Sequence, residues 1–386
     1  MWSLSPGMHH LNHGSFGAVP LEVQARQTEW RARWEANTTK FIINEYTDAL
    51  DNARAAVSDF VGVDSAGVVF VRNASQGVAA VVRSIEPALK PGDEIVTTSQ
   101  DYNAVRQTLE YAARLHDARV AVAEVPFPID SADQVRDAVL NTVTNRTRLA
   151  VIDHIASPTG LIFPIEEIVS ELEPDIPVLV DGAHGPGQVQ LNLNDLGASW
   201  YTGNLHKWVC APKGSGFLRT RADRIDETVP TVISHAWNTP IVDGSSRYQG
   251  LFDWTGTDDM TPWLVVPDAI RVIAETEPGG WSAVMKRNRE LALAARGIMC
   301  TSMAVNPPSP EEMVGSMFAI PLPDRPGDDP GGLLSPLNQE LLELGFETLV
   351  MIWPEWPGQV LRISAHLYNR LDEYQALAET LRRLAA

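Results

Sequence analysis

An acid and an amine stand 26 residues apart in the middle of this chain, each just beyond a short apolar run. The first run is Val178-Leu179-Val180, closed by Asp181 and the turn residues Gly182-Ala183-His184. The second covers Ser199 to Thr202, and Lys207 follows shortly after it. Short apolar runs bounded by turn residues read as buried strands. Open α/β sheets take their ligands at the carboxyl ends of such strands. Asp181 and Lys207 are therefore expected at neighbouring strand ends. One chemistry uses that pair directly. Pyridoxal phosphate (PLP) needs a lysine amine to bond to, and a carboxylate that keeps its ring nitrogen protonated, because the protonated ring is the electron sink.

The flanking elements offer further candidates. Gly67 to Val71 reads as a strand, followed by Asn73-Ala74-Ser75-Gln76-Gly77 and by Val78, Val81, Val82 and Ile85 at helical spacing. A strand, turn and helix start make Ser75 and Gln76 either anion contacts or a plain cap. The chain has no glycine-rich dinucleotide fingerprint and no Walker-type loop, which suits a ligand with one phosphate. Tyr102 follows the strand Glu94 to Thr98 and either stacks on a flat ligand or packs at a rim. Ser157 lies in the turn after the strand Arg148 to His154, and His154 itself reads as a satisfied core histidine. Arg362 sits in the strand Gln359 to His366; its guanidinium fork matches a carboxylate, or it is an exposed strand arginine. Leu11 to Gly17, with glycines on both sides of Ser15-Phe16, reads as an ordinary turn or as a loop in close contact with another part of the molecule. His9, His10 and His13 raise the question of a metal, but no cysteine or acid stands at ligand spacing, so none is expected.

The wording Asp181-Gly182-Ala183-His184, then Thr202-Gly203-Asn204-Leu205-His206-Lys207-Trp208, then Ala211 to Leu218, resembles the class V aminotransferase family of PLP fold type I. Within it the chain looks like the isopenicillin N epimerase branch, which includes enzymes that process cysteine S-conjugates. The likeness runs nearly end to end. It implies an α/β fold with a mainly parallel seven-stranded sheet flanked by helices, plus a small C-terminal α+β domain. It implies that Lys207 holds PLP and shuttles a proton, and that Asp181 faces the ring nitrogen. Tyr102 would stack on the ring, where cysteine desulfurases of class V carry histidine. Ser157 and His184 would lie near the ring oxygen. Ser75, Gln76 and His206 would hold the phosphate, joined by Thr257 from a second subunit, so a homodimer with interfacial sites is implied. Arg362 would take the substrate α-carboxylate, and Asn12, His13 and Gly14 would line the substrate side.

The resemblance leaves the reaction open. The loop Trp353 to Gly358, where the desulfurases carry a nucleophilic cysteine, has none. That disfavours a persulfide route. A C–S β-lyase acting on a cysteine S-conjugate, in thiol or antibiotic metabolism, is the expected activity. Epimerisation, decarboxylating oxidative deamination and a non-catalytic PLP-binding homologue are the alternatives.

Composition sets the outer bounds. Acids outnumber bases by 49 to 30, a net charge of −19. No basic patch breaks that excess, so a nucleic-acid partner is not expected. No apolar run approaches a membrane span. Two cysteines and no evident signal peptide suit a reducing compartment, with the cytoplasm as the default. The expected organisation is an N-terminal segment over 1–20, a large PLP-binding domain over 21–258 and a small domain over 259–386. Helices are expected over Leu21 to Trp34, Tyr46 to Val61, Glu166 to Glu173, Pro267 to Glu275, Ser282 to Met299, Leu337 to Leu344 and Asp372 to Leu384. Further strands are expected over Ser215 to Arg219 and Glu347 to Trp353, and a surface loop over Pro321 to Pro336.

Overall fold

The computed structural model describes every residue except 174, 241–245, 326 and 386. Residue 326, within the loop expected over 321–336, thus lies outside the described residues. The strands are β1 His9–His10, β2 Val68–Val71, β3 Glu94–Thr98, β4 Arg119–Ala123, β5 Thr147–Asp153 and β6 Val178–Gly182. They continue with β7 Trp200–Asn204, β8 Gly216–Thr220, β9 Met317–Leu322, β10 Phe346–Glu347, β11 Leu349–Ile352 and β12 Gln359–Ser364.

Seven of these form one sheet in the order β2-β8-β7-β6-β5-β3-β4. The neighbours from β7 through β6, β5 and β3 to β4 are all parallel. Only β8 runs against them, antiparallel to both β7 and β2. This is the expected mainly parallel seven-stranded sheet. β6 and β7 are buried along their whole length and β5 everywhere but at Arg148, because helices cover both faces of the sheet. The helices Tyr46–Val61 and Ile165–Leu172 contribute to one apolar layer. The helices Ala74–Ile85 and Asn103–Leu115 contribute to the other.

The C-terminal unit is a three-stranded antiparallel sheet in the order β11-β12-β9. It packs with the helices Gly280–Met303 and Leu371–Ala385 around Met299, Ile320, Leu361, Ile363 and Leu377. Residues 261–274, expected with this unit, bury Trp263, Leu264, Val266 and Ala269 in the core of the large sheet instead. The apolar stripe of the helix Val266–Ala274 faces Tyr46–Val61, and that burial decides its company.

The N-terminal segment crosses between the two units. β1 pairs in parallel with β10, so His9 lies beside Phe346. A single helical turn, His13–Phe16, follows. It ends at Gly17, whose φ of +69° and ψ of 165° are open to glycine almost alone. A Cβ there would stand 1.9 Å from the His206 carbonyl oxygen. The expected close contact is thus with the chain just before Lys207. Among the described residues no helix is long and apolar enough to cross a membrane.

Candidate active site

The parallel sheet brings the ends of β3, β5, β6 and β7 to one edge. Asp181 lies in β6 with Asp153 of β5 as its ladder neighbour on one side and Thr202 of β7 on the other. Asp181 is buried, and its only side-chain hydrogen bond among the described residues is from the Ala183 N–H at 2.9 Å. Burial therefore pushes its carboxyl above the usual range. Asp153 is pushed well up too, by burial and by the charges of Asp181 and Asp101.

Lys207 stands three residues beyond the end of β7. It is half-buried, with its Nζ 2.9 Å from His184 Nε2. Its amine is lowered to about 7 by desolvation first and then by the charge of Arg362, against the opposing pull of Asp181 and Asp153. At neutral pH a large share is the free base, which is the nucleophilic and proton-accepting form. The peptide of Lys207 is also held. His13 Nε2 lies 3.0 Å from the Lys207 carbonyl oxygen, and His13 Nδ1 lies 2.9 Å from the Tyr368 hydroxyl. A carbonyl only accepts, so the His13 proton is on Nε2 and Tyr368 donates to Nδ1.

Arg362 enters from β12. Its Nη1 donates to the Ser157 carbonyl at 2.6 Å, and its Nη2 to Ser15 Oγ at 2.8 Å and Asn12 Oδ1 at 3.2 Å. Its Nε is buried without a partner. Among the described residues no carboxylate pairs with it, and desolvation lowers it to about 10. A buried cation without a counter-charge is costly unless a ligand supplies one.

The phosphate end is more specific than the sequence suggests. The helix Ala74–Ile85 is capped by Asn73, whose Oδ1 takes the Gln76 N–H at 2.9 Å. Asn204 Oδ1 takes the Ala74 N–H at 2.8 Å, and the Asn73 carbonyl takes the Gly77 N–H at 3.1 Å. Among the described residues the Ser75 N–H and hydroxyl in that turn have no partner, so both could meet an anion. Gln76 turns its Oε1 back to the Arg72 N–H at 2.7 Å, which leaves its amide NH2 as the free end. His206 Nδ1 meets the Ser215 carbonyl at 3.1 Å, and burial lowers the ring to about 4. Neutral His206 thus presents a lone pair at Nε2, and holding a phosphate there requires a second proton.

Tyr102 is 49 % exposed at the start of the helix Asn103–Leu115, the one large open aromatic beside Asp101 and Arg106 among the described residues. Thr257 is exposed on a loop. His13 and Gly14 are buried behind the site. A Cβ on Gly14 would meet Met317 Sδ, Ser364 Oγ and Trp208 Cζ2 at 3.1–3.2 Å. His154 is the expected core histidine, with its Nδ1 3.0 Å from the Tyr201 hydroxyl.

The family model for aminotransferase class-V matches residues 18–377. The chain belongs to the class-V aminotransferase family. Isopenicillin N epimerase of Streptomyces clavuligerus is 33 % identical to this class-V chain over 98 % of it and 95 % of that protein. L-cysteine desulfhydrase of Arabidopsis thaliana is 27 % identical over 98 % and 88 %. Among solved structures, a C-DES variant with glycine covalently linked to its PLP cofactor superposes with a TM-score of 0.80. It is 18 % identical and covers 97 % of this chain and 96 % of its own. The cysteine desulfurase CsdA of Escherichia coli gives a TM-score of 0.78 at 18 % identity, covering 99 % and 96 %. These structures show the shared fold, PLP fold type I. The class-V protein is a PLP-dependent enzyme acting on amino acids.

The residues present fit that cofactor. Asp181 could offer a buried carboxylate oxygen to a ring N–H, Lys207 an amine that is in part uncharged, and Ser75 its N–H and hydroxyl to a phosphate. Five residues around the site were not visible as such in the sequence: Asp153, Ser15, Trp208, Cys210 and His366. The last two gather with His13, their ligating atoms within 4.8 Å of one another. They do not make a coordination set. The His13 and His366 rings stack 14° from parallel with centroids 3.8 Å apart. An ion between them, at the Zn–N distance of about 2 Å, would lie off both ring planes and away from both lone pairs. His13 Nε2 is moreover already spent on the Lys207 carbonyl.

Proposed function

We propose that this enzyme is a C–S β-lyase, which takes a cysteine S-conjugate and water to a thiol, pyruvate and ammonia. PLP, when bound, supplies the electron sink that stabilises negative charge at the substrate Cα. Arg362, whose Nε has no partner among the described residues, takes the α-carboxylate, and Asn12 and Ser15 hold its plane. Lys207, in part the free base at neutral pH, accepts the α-proton. The C–S bond then breaks, sulfur leaves and takes up a proton, and water releases the remaining carbons as pyruvate with ammonia. Asp181 keeps its charge against the cofactor ring throughout, and Tyr102 covers the open face.

The observation that carries this reading is that no second lysine and no cysteine stands at the site among the described residues. Among the described residues Lys207 is the one amine there. Lys213 turns away to the Gly17 carbonyl at 3.0 Å. Cys210 is buried against His366 at 3.5 Å, and Cys300 lies in the core of the small unit. β-Elimination needs one base at Cα, whereas epimerisation needs a second acid on the opposite face. The desulfhydrase relatives support the lyase reading. The 33 % identity to isopenicillin N epimerases keeps epimerisation as the second reading. A panel of S-alkyl and S-aryl cysteines should yield thiol, pyruvate and ammonia in equal amounts. A panel that yields none of these sinks the lyase.

The same reading includes a homodimer, with the exposed Thr257 loop of each subunit reaching the phosphate end of the other, and a cytoplasmic home. Phe16 and Ile43, more than two-thirds exposed, give the N-terminal region an apolar face suited to such an interface. Light scattering at twice the mass of the 386-residue chain is the expected result.

A further inference from the structure

Trp208 follows Lys207 and is buried, yet its indole nitrogen is not idle. Nε1 lies 3.3 Å from His184 Nδ1. An indole N–H donates and never accepts, so Nδ1 of His184 must carry a lone pair. A neutral imidazole bears its one proton on the other nitrogen. His184 is held neutral: burial first, then the charges of Lys207, Arg362 and His206, push it well below the usual histidine range. Its proton is therefore on Nε2, the atom that faces Lys207 Nζ at 2.9 Å. An Nε2–H can share a hydrogen bond with Lys207 only if the amine offers a lone pair.

We infer that Trp208 is a positioning residue for cofactor attachment. Its indole N–H fixes His184 in the Nε2–H form, and His184 then holds Lys207 as the uncharged amine that bonds to PLP. Without that N–H, His184 is free to move its proton to Nδ1. Its Nε2 would then accept from a charged ammonium and favour the unreactive form. The remaining groups around Lys207 act independently of Trp208: Arg362 from β12 disfavours the ammonium, while Asp181 from β6 and Asp153 from β5 favour it. The arrangement also fixes what His184 offers when the cofactor takes the amine away, namely a donor. Trp208 is kept in place by the missing Cβ of Gly14 and by its tilted contact with the His13 ring at 5.0 Å.

The test uses the full chain stripped of PLP and remixed with excess PLP, with the attachment rate followed by absorbance between about pH 6 and 10. In the wild type the rate should rise through a midpoint near the Lys207 value of about 7. In Trp208→Phe the midpoint should move up by about one unit, so attachment at pH 7 slows about fivefold while the alkaline plateau is unchanged. Placing β-(3-benzothienyl)alanine at 208 swaps the N–H for sulfur at nearly constant shape, and should give the same shift even if the Phe variant folds poorly. In a His184→Gln background, removing the N–H should no longer move the midpoint. An unmoved midpoint with the benzothienyl side chain, or a shift that persists without His184, overturns the inference.

Discussion

Exchanging Asp181 for Asn separates what the carboxylate does for the cofactor from what it costs the fold. Asp181 is buried, its one hydrogen bond comes from a backbone N–H, and burial raises its carboxyl above the ordinary range. The folded chain therefore binds that proton more tightly than the unfolded chain. Stability from this group is fullest below the unfolded value and is lost as pH rises through the raised folded one. Above that range the buried acid weighs against the cofactor-free fold, and its charge pushes on Asp153 beside it. Asn keeps the shape, takes the Ala183 N–H on its amide oxygen and removes the charge. Cofactor-free Asp181→Asn should unfold in urea at the same midpoint as the wild type or a higher one. The loaded enzyme should behave in the opposite way. Removing one partner of a desolvated charge pair costs about 2–5 kcal/mol. At about 1.36 kcal/mol per tenfold, kcat should fall by roughly 30- to 5,000-fold. Steady-state kinetics and urea curves on the same preparation decide it. A destabilised cofactor-free variant with wild-type kcat would refute the reasoning.

The other expectations are briefer. Borohydride reduction should fix PLP to the peptide that contains Lys207, and Lys207→Ala should retain none after denaturation; a labelled peptide elsewhere would displace Lys207. Arg362→Lys keeps the charge but loses the fork, so KM for a carboxylate substrate should rise by roughly 10- to 100-fold while PLP content holds, a loss of about 1.5–3 kcal/mol; unchanged KM would remove Arg362 from that role. Gly17→Ala puts a Cβ against the His206 carbonyl at a φ of +69°. Strain and overpacking of about 1–3 kcal/mol each should lower the urea midpoint and weaken PLP retention, and wild-type values for both would show that the segment yields freely.

The acid and the amine were legible because each follows an apolar run that is short and sharply bounded, Asp181 near the end of β6 and Lys207 beyond β7. The run Val178–Val180 is buried on both faces, and Trp200–Thr202 likewise, so their composition alone marks them as strands. β4 escaped notice because Arg119 to Val122 are only partly buried at a sheet edge, where the alternation is weak. β1 is two residues long and exists only through its pairing with Phe346–Glu347, a contact more than 300 residues distant. Asp153 reads only as a residue within the strand Arg148 to His154, and the ladder that sets it beside Asp181 is what gives it a part in the site. Trp208 and Cys210 look like apolar packing after the lysine. Their partners His184, His13 and His366 arrive from three separate segments, and no local spacing announces them.

The fate of the substrate α-hydrogen tests the central claim most directly. A cysteine S-conjugate incubated with the loaded enzyme in deuterium oxide should yield pyruvate and free thiol, with the unreacted substrate keeping its configuration. Unreacted substrate that gains deuterium at Cα and racemises, with no pyruvate formed, would contradict the lyase and make the enzyme an epimerase.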